Sequence, residues 1–483
     1  MSAVIPRPVL REEPVLDSIV PHARLLSVSQ VIRRLFRMAV LFLAARMLGV
    51  ESFGAYALLL TIVEMIAIIS GYGYVDFLTR EVAQRPNAAW PLGKRVTQLR
   101  LSYIVPSVGL AVLALIVLHF PSSLVLNGVL LSLTLIPRAV GESAQGLLKG
   151  LRRFVPLPWI EFVQGAVVVA VAPIMILEGL GTRGLIAAEI LGAIGGAAIA
   201  IWSVAGRLDF AGSDPRGFRD LLRSTFAFNA YPFIVNVYDR LDVVLLSKLA
   251  GNFATGIYSL PYRAFATLQI IPYSVMGALL PVFSSSQTKH NTPQTCSSVM
   301  RFLYLAALLI AFLTLTFAGP VILRLLGRSY EKSIITIQIL VWAAIPAFLN
   351  FALNTVFLAA GKEKVFLWTA SVCTIFNIVA NLLLIPRFSF IGAAVVTVLT
   401  ECLLLAQNLY LVKKFMGQVV LPKDGLKITA VFAGLLAGFW LLQRGVPRLW
   451  AGFLACVAFA IFAVTISTAP RNFRAAAPQE RTR

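Results

Sequence analysis

Charged residues are scarce in this chain of 483 residues. Asp, Glu, Lys and Arg together make up 13% of it, whereas hydrophobic residues make up 59%. A soluble domain carries about 25% charged residues. The composition therefore excludes a soluble globular protein, and the apolar share excludes a disordered chain. A mean hydropathy of +0.85 indicates a membrane protein.

Cysteine and histidine are also rare, at four and three residues. The cysteines lie far apart in mostly apolar stretches, and the sequence holds no CxxC motif and no Cys/His cluster. A disulfide scaffold is therefore excluded, and nothing favours a zinc site or a histidine-based catalytic triad. We expect no metal, no cofactor and no catalytic residue, and hence a protein that is not an enzyme.

Acidic residues are outnumbered by basic residues. Lys plus Arg is 42 and Asp plus Glu is 21, which gives a formal net charge of +21. In a soluble chain this charge would indicate a nucleic-acid partner. Membrane proteins instead place Lys and Arg in their cytoplasmic connections, so the charge has to be interpreted by position, and we expect no nucleic-acid partner.

Long apolar runs dominate the chain. A helix that crosses a bilayer needs about 20 mostly apolar residues. With this length, and with short connections between the runs, the sequence predicts fourteen spans: 26–48, 53–78, 97–119, 123–148, 155–177, 184–206, 220–248, 254–283, 297–318, 331–359, 364–385, 390–412, 425–443 and 448–468.

The distribution of Lys and Arg predicts the orientation of these spans. Residues 1–23 lack the features of a cleaved signal peptide, so the first span is expected to stay as an anchor. With the N-terminus inside, most Lys and Arg of the connections fall on the cytoplasmic side. Both termini are therefore predicted to be cytoplasmic. The outside connections receive few basic residues: Arg183, Arg324, Arg328, Lys332, Arg387, Arg444 and Arg448.

One turn recurs at an offset of 202 residues. GVESFGAY and GNFATGIY share three positions: Gly49 with Gly251, Gly54 with Gly256, and Tyr56 with Tyr258. One interpretation is a common helix–helix turn, since Gly is frequent there. The other is two pseudo-symmetric six-helix lobes followed by an extra helix pair, as in many secondary transporters. That organisation gives a polar tail 1–23, an N-lobe 24–210, a C-lobe 211–415, a helix pair 416–470 and a basic tail 471–483.

Charged side chains inside the first spans indicate a wet cavity. A charge at the centre of a bilayer costs about 2.5–3.5 kcal/mol on insertion scales, so such residues usually face the protein interior. Spacing places Gln30, Arg33 and Arg37 on one face of the first span. Arg33 and Arg34 could also snorkel to lipid headgroups. Arg37 lies about three turns into the span, which favours a cavity.

The fourth span carries one polar stripe, Arg138, Glu142, Gln145 and Lys149, at steps of four, three and four. Two interpretations are open. The stripe could line a cavity, or Arg138 and Glu142 could form an ion pair within the helix while Lys149 snorkels from its end.

Further intramembrane charges lie in the second, seventh and eighth spans. Glu64 is deep in the second span, and Asp239 and Asp242 share a face of the seventh. Arg263 lies two turns inside the eighth span. We expect these acids, together with Glu142, to balance charge or to couple an ion gradient. Because Arg suits phosphate and carboxylate oxygens, the cavity would favour an anionic headgroup.

The chain resembles a known family over nearly its whole length. The resemblance is carried by LGVESFGAYAL, by YDRLDVVLLSKLAGNFATGIYSLPYRAFATLQIIPYSVMGALLPVFSS and by LLGRSYEKSIITIQIL. These segments are similar to polysaccharide-biosynthesis flippases, the Wzx-type members of the multidrug/oligosaccharidyl-lipid/polysaccharide (MOP) exporter superfamily. Asp242, Gly256, Tyr258 and Pro281 match the family pattern. Arg263 is similar to a basic residue that lines the cavity of related lipid II flippases.

The resemblance implies an all-α polytopic fold of the MATE type that alternates its opening. It also implies transport of an undecaprenyl-diphosphate-linked oligosaccharide across the bacterial cytoplasmic membrane for surface polysaccharide biosynthesis. The implied partners are this substrate, membrane lipids and polysaccharide polymerase or export proteins. Arg33, Arg37, Arg138 and Arg263 would then contact the diphosphate.

Two other function classes stay open. A drug or cation antiporter of the same superfamily would share the fold but would prefer acids in its cavity. A membrane glycosyltransferase or polymerase usually needs a sizeable external loop with catalytic carboxylates. The longest outside connection, around 319–333, is short and carries Glu331 as its sole acid.

Overall fold

The computed structural model is almost entirely helical in the residues that it describes, with no strand among them. The described residues are 15–71, 73–205, 218–276, 292–359, 362, 364–416, 424–443, 446, 450, 452, 454, 455, 457–459 and 462.

The chain divides into two compact units, Met1–Arg240 and Leu241–Arg483. A long helix, α8, crosses the boundary between them. The first unit contains α1 (Val15–Gly71), α2 (Tyr74–Gln84), α3 (Ala89–Val117), α4 (Ser122–Ser132), α5 (Leu135–Gly150), α6 (Pro156–Met175), α7 (Gly181–Ala205) and the first part of α8 (Phe218–Leu268).

The second unit begins with the remainder of α8, and its helices are on average longer than those of the first unit. Short 3₁₀ turns, Arg328–Tyr330 and Val341–Ala343, separate some of them. Its further helices are α9 (Thr292–Leu326), α10 (Lys332–Leu340), α11 (Ala344–Ala359), α12 (Lys364–Met416) and α13 (Gly425–Leu442).

The repeated turn identified in the sequence has the same backbone conformation in both copies. Gly49 bends α1 with φ 76° and ψ 171°. Gly251 bends α8 with φ 82° and ψ 176°. A Cβ added to either glycine would meet no atom within 4 Å, so the positive φ, and not crowding, requires Gly.

Two further landmarks recur at nearly the same offset. Pro137 follows the break between α4 and α5, and Pro346 follows the 3₁₀ turn before α11. Gly181 (φ 53°, ψ −127°) and Ser389 (φ 52°, ψ −133°) bend the chain alike. These matches agree with the internal repeat inferred from the sequence, whereas the predicted lobe boundaries stay predictions.

Several predicted spans differ from the helices in the structure. The second span was expected to run to 78, but α1 ends at Gly71 and α2 begins at Tyr74 after Gly73 adopts a φ of 79°. The fourth span is broken into α4 and α5, because Pro137 lacks the N–H that would continue the ladder there. The last span, 448–468, lies mostly outside the described residues.

Nine helical stretches of the described chain are long and apolar enough to cross a membrane. Several of them, such as Pro156–Ala205 and Trp368–Phe415, are long enough for two crossings at about 1.5 Å per residue. The structure thus confirms an all-helical polytopic architecture, while the total of fourteen spans stays a prediction.

Glycine allows the helices of the first unit to approach closely. A Cβ on Gly146 would lie 3.0 Å from Leu78, and one on Gly150 would lie 2.7 Å from Val82. Helix α2 therefore packs its apolar face directly on α5. Small residues favour such contacts where membrane helices have no hydrophobic drive to associate. This packing fixes the rotation of α5 and so decides where its polar stripe points.

Candidate functional site

The first ion pair of the site joins α1 to α6. Arg33 donates from Nε to Glu161 Oε2 at 2.9 Å and from a terminal nitrogen to Glu161 Oε1 at 2.6 Å. The Arg33 side chain is 45% exposed, whereas that of Glu161 is 6% exposed. Two parallel bonds hold the guanidinium in one orientation. The buried carboxylate therefore positions an arginine that is half-exposed.

The second cluster joins α1 to α8. Arg37 and Arg240 both form ion pairs with the Glu64 carboxylate. Glu64 is buried at 6% exposure, whereas the Arg37 side chain is 47% exposed. The deep acid predicted in the second span is thus shared by two arginines.

The polar stripe of α5 pairs with other helices. Arg138 lies 3.8 Å from Glu189 on α7, which also accepts a hydrogen bond of 3.1 Å from the Tyr56 hydroxyl. Glu142 pairs instead with Arg100 of α3 at 2.5 Å. The interpretation of Arg138 and Glu142 as an ion pair within one helix is therefore wrong, because each side chain has a closer partner on a neighbouring helix.

Asp242, a predicted site residue of the second unit, is held by hydrogen bonds beside the bend of α8. Asp242 is buried, accepts a hydrogen bond of 2.7 Å from the Val243 N–H and another from the Tyr258 hydroxyl. Tyr258 also lies 3.0 Å from the Thr397 hydroxyl. These contacts join the two arms of α8 to α12. They give Asp242 a structural role beside the bend at Gly251.

Arg263 and Asp239 complete the set of residues predicted from the sequence. Arg263 lies half-buried on α8, five residues after Tyr258. The side chain of Asp239 lies outside the described part of the structure. The structure therefore groups Arg33, Arg37 and Arg138 in the first unit, while Arg263 belongs to the second.

Amide side chains link the helices of the second unit. Asn408 on α12 donates to Asn350 at 3.1 Å and to Asn354 at 3.2 Å, both on α11. Asn350 in turn donates to the Glu401 carboxylate at 3.0 Å. Such interhelical amide bonds stabilise membrane bundles. In the second unit, buried amide side chains thus take part in the contacts between helices, as ion pairs do in the first.

Four charged residues of these ion pairs were not assigned to the site from the sequence: Arg100, Glu161, Glu189 and Arg240. Arg100 lies inside an apolar run, and an intramembrane arginine is by itself a signal of function. Arg240 follows Asp239 directly, so helical geometry required at least one of the two to find a partner on another helix. The partner of each was not readable, because it depends on how the helices pack.

The described residues contain no cluster of three or more His, Cys, Asp or Glu that could hold a metal ion. The three described cysteines, Cys296, Cys373 and Cys402, are free thiols. Cys456 lies outside the described residues. The ion pairs of the described site are formed by arginine and glutamate side chains.

Comparison with known families decides the classification. A family profile described as "Polysaccharide biosynthesis protein" matches residues 22–287, more than half of the chain. The chain belongs to this polysaccharide biosynthesis family. A second profile, MatE, matches residues 232–383. The resemblance read from the sequence is thereby confirmed, and the two profiles together place this family member in the MOP exporter superfamily.

Individual relatives agree with the family. The chain is 20% identical to a probable low-salt glycan biosynthesis flippase, Agl15, of Haloferax volcanii, over 366 residues that cover 74% of this chain and 75% of that protein. Its fold is similar to that of a lipid II flippase, MurJ, in an inward closed conformation, with a TM-score of 0.71 at 14% identity, covering 92% of this chain and 98% of the other.

A multidrug resistance MATE transporter in an inward-facing conformation is also similar, with a TM-score of 0.69 at 14% identity, covering 82% of this chain and 98% of the other. These likenesses confirm the MATE-type fold. The protein is a multi-pass membrane transporter of the flippase type, and its relatives are transporters and not enzymes.

Proposed function

We propose that this protein flips an undecaprenyl-diphosphate-linked oligosaccharide across the bacterial cytoplasmic membrane by alternating access, for surface polysaccharide biosynthesis. Both termini would lie in the cytoplasm. The observation that carries the proposal is the pair of half-exposed arginines, Arg33 and Arg37, each held by a glutamate that is 6% exposed. Held guanidinium groups are suited to the oxygens of a diphosphate.

The remaining roles follow from charge and position. Arg138 and Arg263 would contact the same anionic group at other stages of the cycle. Glu64 would balance Arg37 and Arg240, and Asp239 and Asp242 would act in charge balance or ion coupling. The isoprenoid tail would stay in the bilayer, since an apolar chain gains nothing from a polar lumen. Polymerase or export proteins would receive the product.

A cation antiporter is the second candidate, favoured by the MatE match over residues 232–383. It would need acids facing its substrate. Two described acids of the first unit, Glu64 and Glu161, are buried and paired with more exposed arginines, whereas Glu142 is exposed. This arrangement favours an anionic substrate group over a cationic one. A glycosyltransferase, in turn, would need acids placed for catalysis.

The test uses purified protein in proteoliposomes with a fluorescent undecaprenyl-diphosphate trisaccharide as the probe. Flipping is measured as the fraction of probe that becomes accessible to a membrane-impermeant quencher. We expect Arg37→Ala and Arg263→Ala each to slow flipping at least tenfold, because each loses a charge-assisted contact worth about 1.5–3 kcal/mol. Arg328→Ala, at an exposed turn position, is the matched control and should flip like wild type.

The competing functions give different results in the same vesicles. Normal flipping in both arginine variants would refute the proposal that Arg37 and Arg263 contact the substrate in the cavity. Proton- or sodium-driven efflux of ethidium without any flipping would establish the antiporter. Transfer of sugar between lipid carriers would establish an enzyme.

A further inference from the structure

The ion pairs of the first unit differ in which partner is exposed. In the pairs of Arg33 with Glu161 and of Arg37 with Glu64, the arginine is the exposed partner. The pair of Arg100 with Glu142 has the opposite polarity. Arg100 is 2% exposed, whereas the Glu142 side chain is 42% exposed. This position therefore presents a carboxylate where the other two present guanidinium groups.

The surroundings of this pair hold the carboxylate in place. Arg100 contacts Glu142 Oε2 at 2.5 Å and the Ser143 hydroxyl at 3.3 Å. Gly71, at the end of α1, leaves room for both side chains. A Cβ on Gly71 would lie 3.0 Å from Arg100 Nη2 and 3.6 Å from Glu142 Oε2. Helices α1, α3 and α5 thus meet at this point and hold the exposed side chain of Glu142 in place.

The depth of the pair shows what Glu142 faces. Glu142 lies on α5, eight residues before the end of the apolar stretch Ser122–Gly150. At about 1.5 Å per residue it is therefore about 12 Å along the helix from that end. A carboxylate that is exposed at this depth cannot face hydrocarbon without a large cost. Glu142 therefore faces an aqueous space within the membrane.

We propose that Glu142 contacts the glycan of the substrate and accepts hydrogen bonds from sugar hydroxyl groups, while Arg33 and Arg37 contact its anionic part. This inference rests on the function proposed above. A carboxylate has two oxygens that accept hydrogen bonds and none that donates, so it pairs with the hydroxyl donors of a sugar and repels a diphosphate. Exposed groups of opposite charge would thus bind the two halves of one substrate.

The test measures binding of two probes to the full-length protein in nanodiscs by microscale thermophoresis. One probe is undecaprenyl diphosphate carrying a neutral hexose trisaccharide, and the other is sugar-free undecaprenyl diphosphate. Wild type should prefer the glycosylated probe. Glu142→Gln should lower that preference about tenfold and leave the affinity for the sugar-free probe unchanged, because a charged acceptor is lost while Arg100 keeps an amide oxygen to bind.

Two further variants separate recognition from folding. Gly71→Ala displaces the pair without removing a charge and should lower the same preference. Glu178→Ala removes an exposed acid near the end of α6 and should change neither affinity. Folding of each variant is checked by size-exclusion chromatography after heating.

Each other outcome has a defined meaning. The proposed contact of Glu142 with the glycan is overturned if Glu142→Gln lowers the affinity for both probes alike or for neither. It is also overturned if this variant instead lowers the affinity for ethidium. Wild type that does not prefer the glycosylated probe overturns it as well. If wild type binds neither probe, the proposed function itself fails. Failure of the glycan assignment alone is different, because wild type then still binds a probe and Arg37→Ala still lowers that affinity.

Discussion

The ion pair of Arg33 with Glu161 predicts an asymmetric response to mutation. Glu161 is 6% exposed and Arg33 is 45% exposed. Arg33→Ala therefore leaves a buried acid without its two hydrogen bonds, whereas Glu161→Ala leaves a cation that water reaches. Loss of one partner from a buried pair costs about 3–5 kcal/mol, and an exposed pair contributes about 0–1 kcal/mol.

The expected magnitudes lie between these limits. We expect Arg33→Ala to lower the free energy of unfolding by about 2 kcal/mol and Glu161→Ala by about 1 kcal/mol. The double variant should lose less than the sum, since it removes both charges and leaves none stranded.

The assay is unfolding by SDS in mixed micelles, followed by tryptophan fluorescence. Arg33→Lys is the matched control: it keeps the charge but cannot form two parallel bonds, and should lose about 1 kcal/mol. A larger loss for Glu161→Ala than for Arg33→Ala would refute the reasoning from burial. Strict additivity in the double variant would show that the two side chains do not stabilise each other.

Two further predictions concern the bends and the second unit. Ser389→Gly should stabilise the protein by about 1 kcal/mol in the same assay, because Ser389 has a φ of 52° that Gly adopts freely, and Gly181→Ser should destabilise it similarly. Tyr258→Phe should cost about 1–3 kcal/mol, because buried Asp242 loses a hydroxyl donor; an unchanged unfolding curve would show that this bond contributes nothing.

Apolar run length predicted the helices well, but the breaks inside them less well. The bends at Gly49 and Gly251 were readable, because a repeated Gly-rich turn needs a positive φ that few other residues adopt. The bend at Ser389 was not readable from residue type, since Ser rarely takes that conformation. The separate helix α2 was also missed, because its apolar face continues the hydrophobic pattern of the preceding span.

The sequence by itself determined that this is a polytopic membrane protein, since the length of apolar runs is a local property of the chain. It also placed charges at Arg33, Arg37 and Glu142. Only the tertiary structure decided their partners and which charge of each pair is exposed. Helical spacing relates residues on one helix, whereas a partner on another helix depends on how the helices rotate and pack.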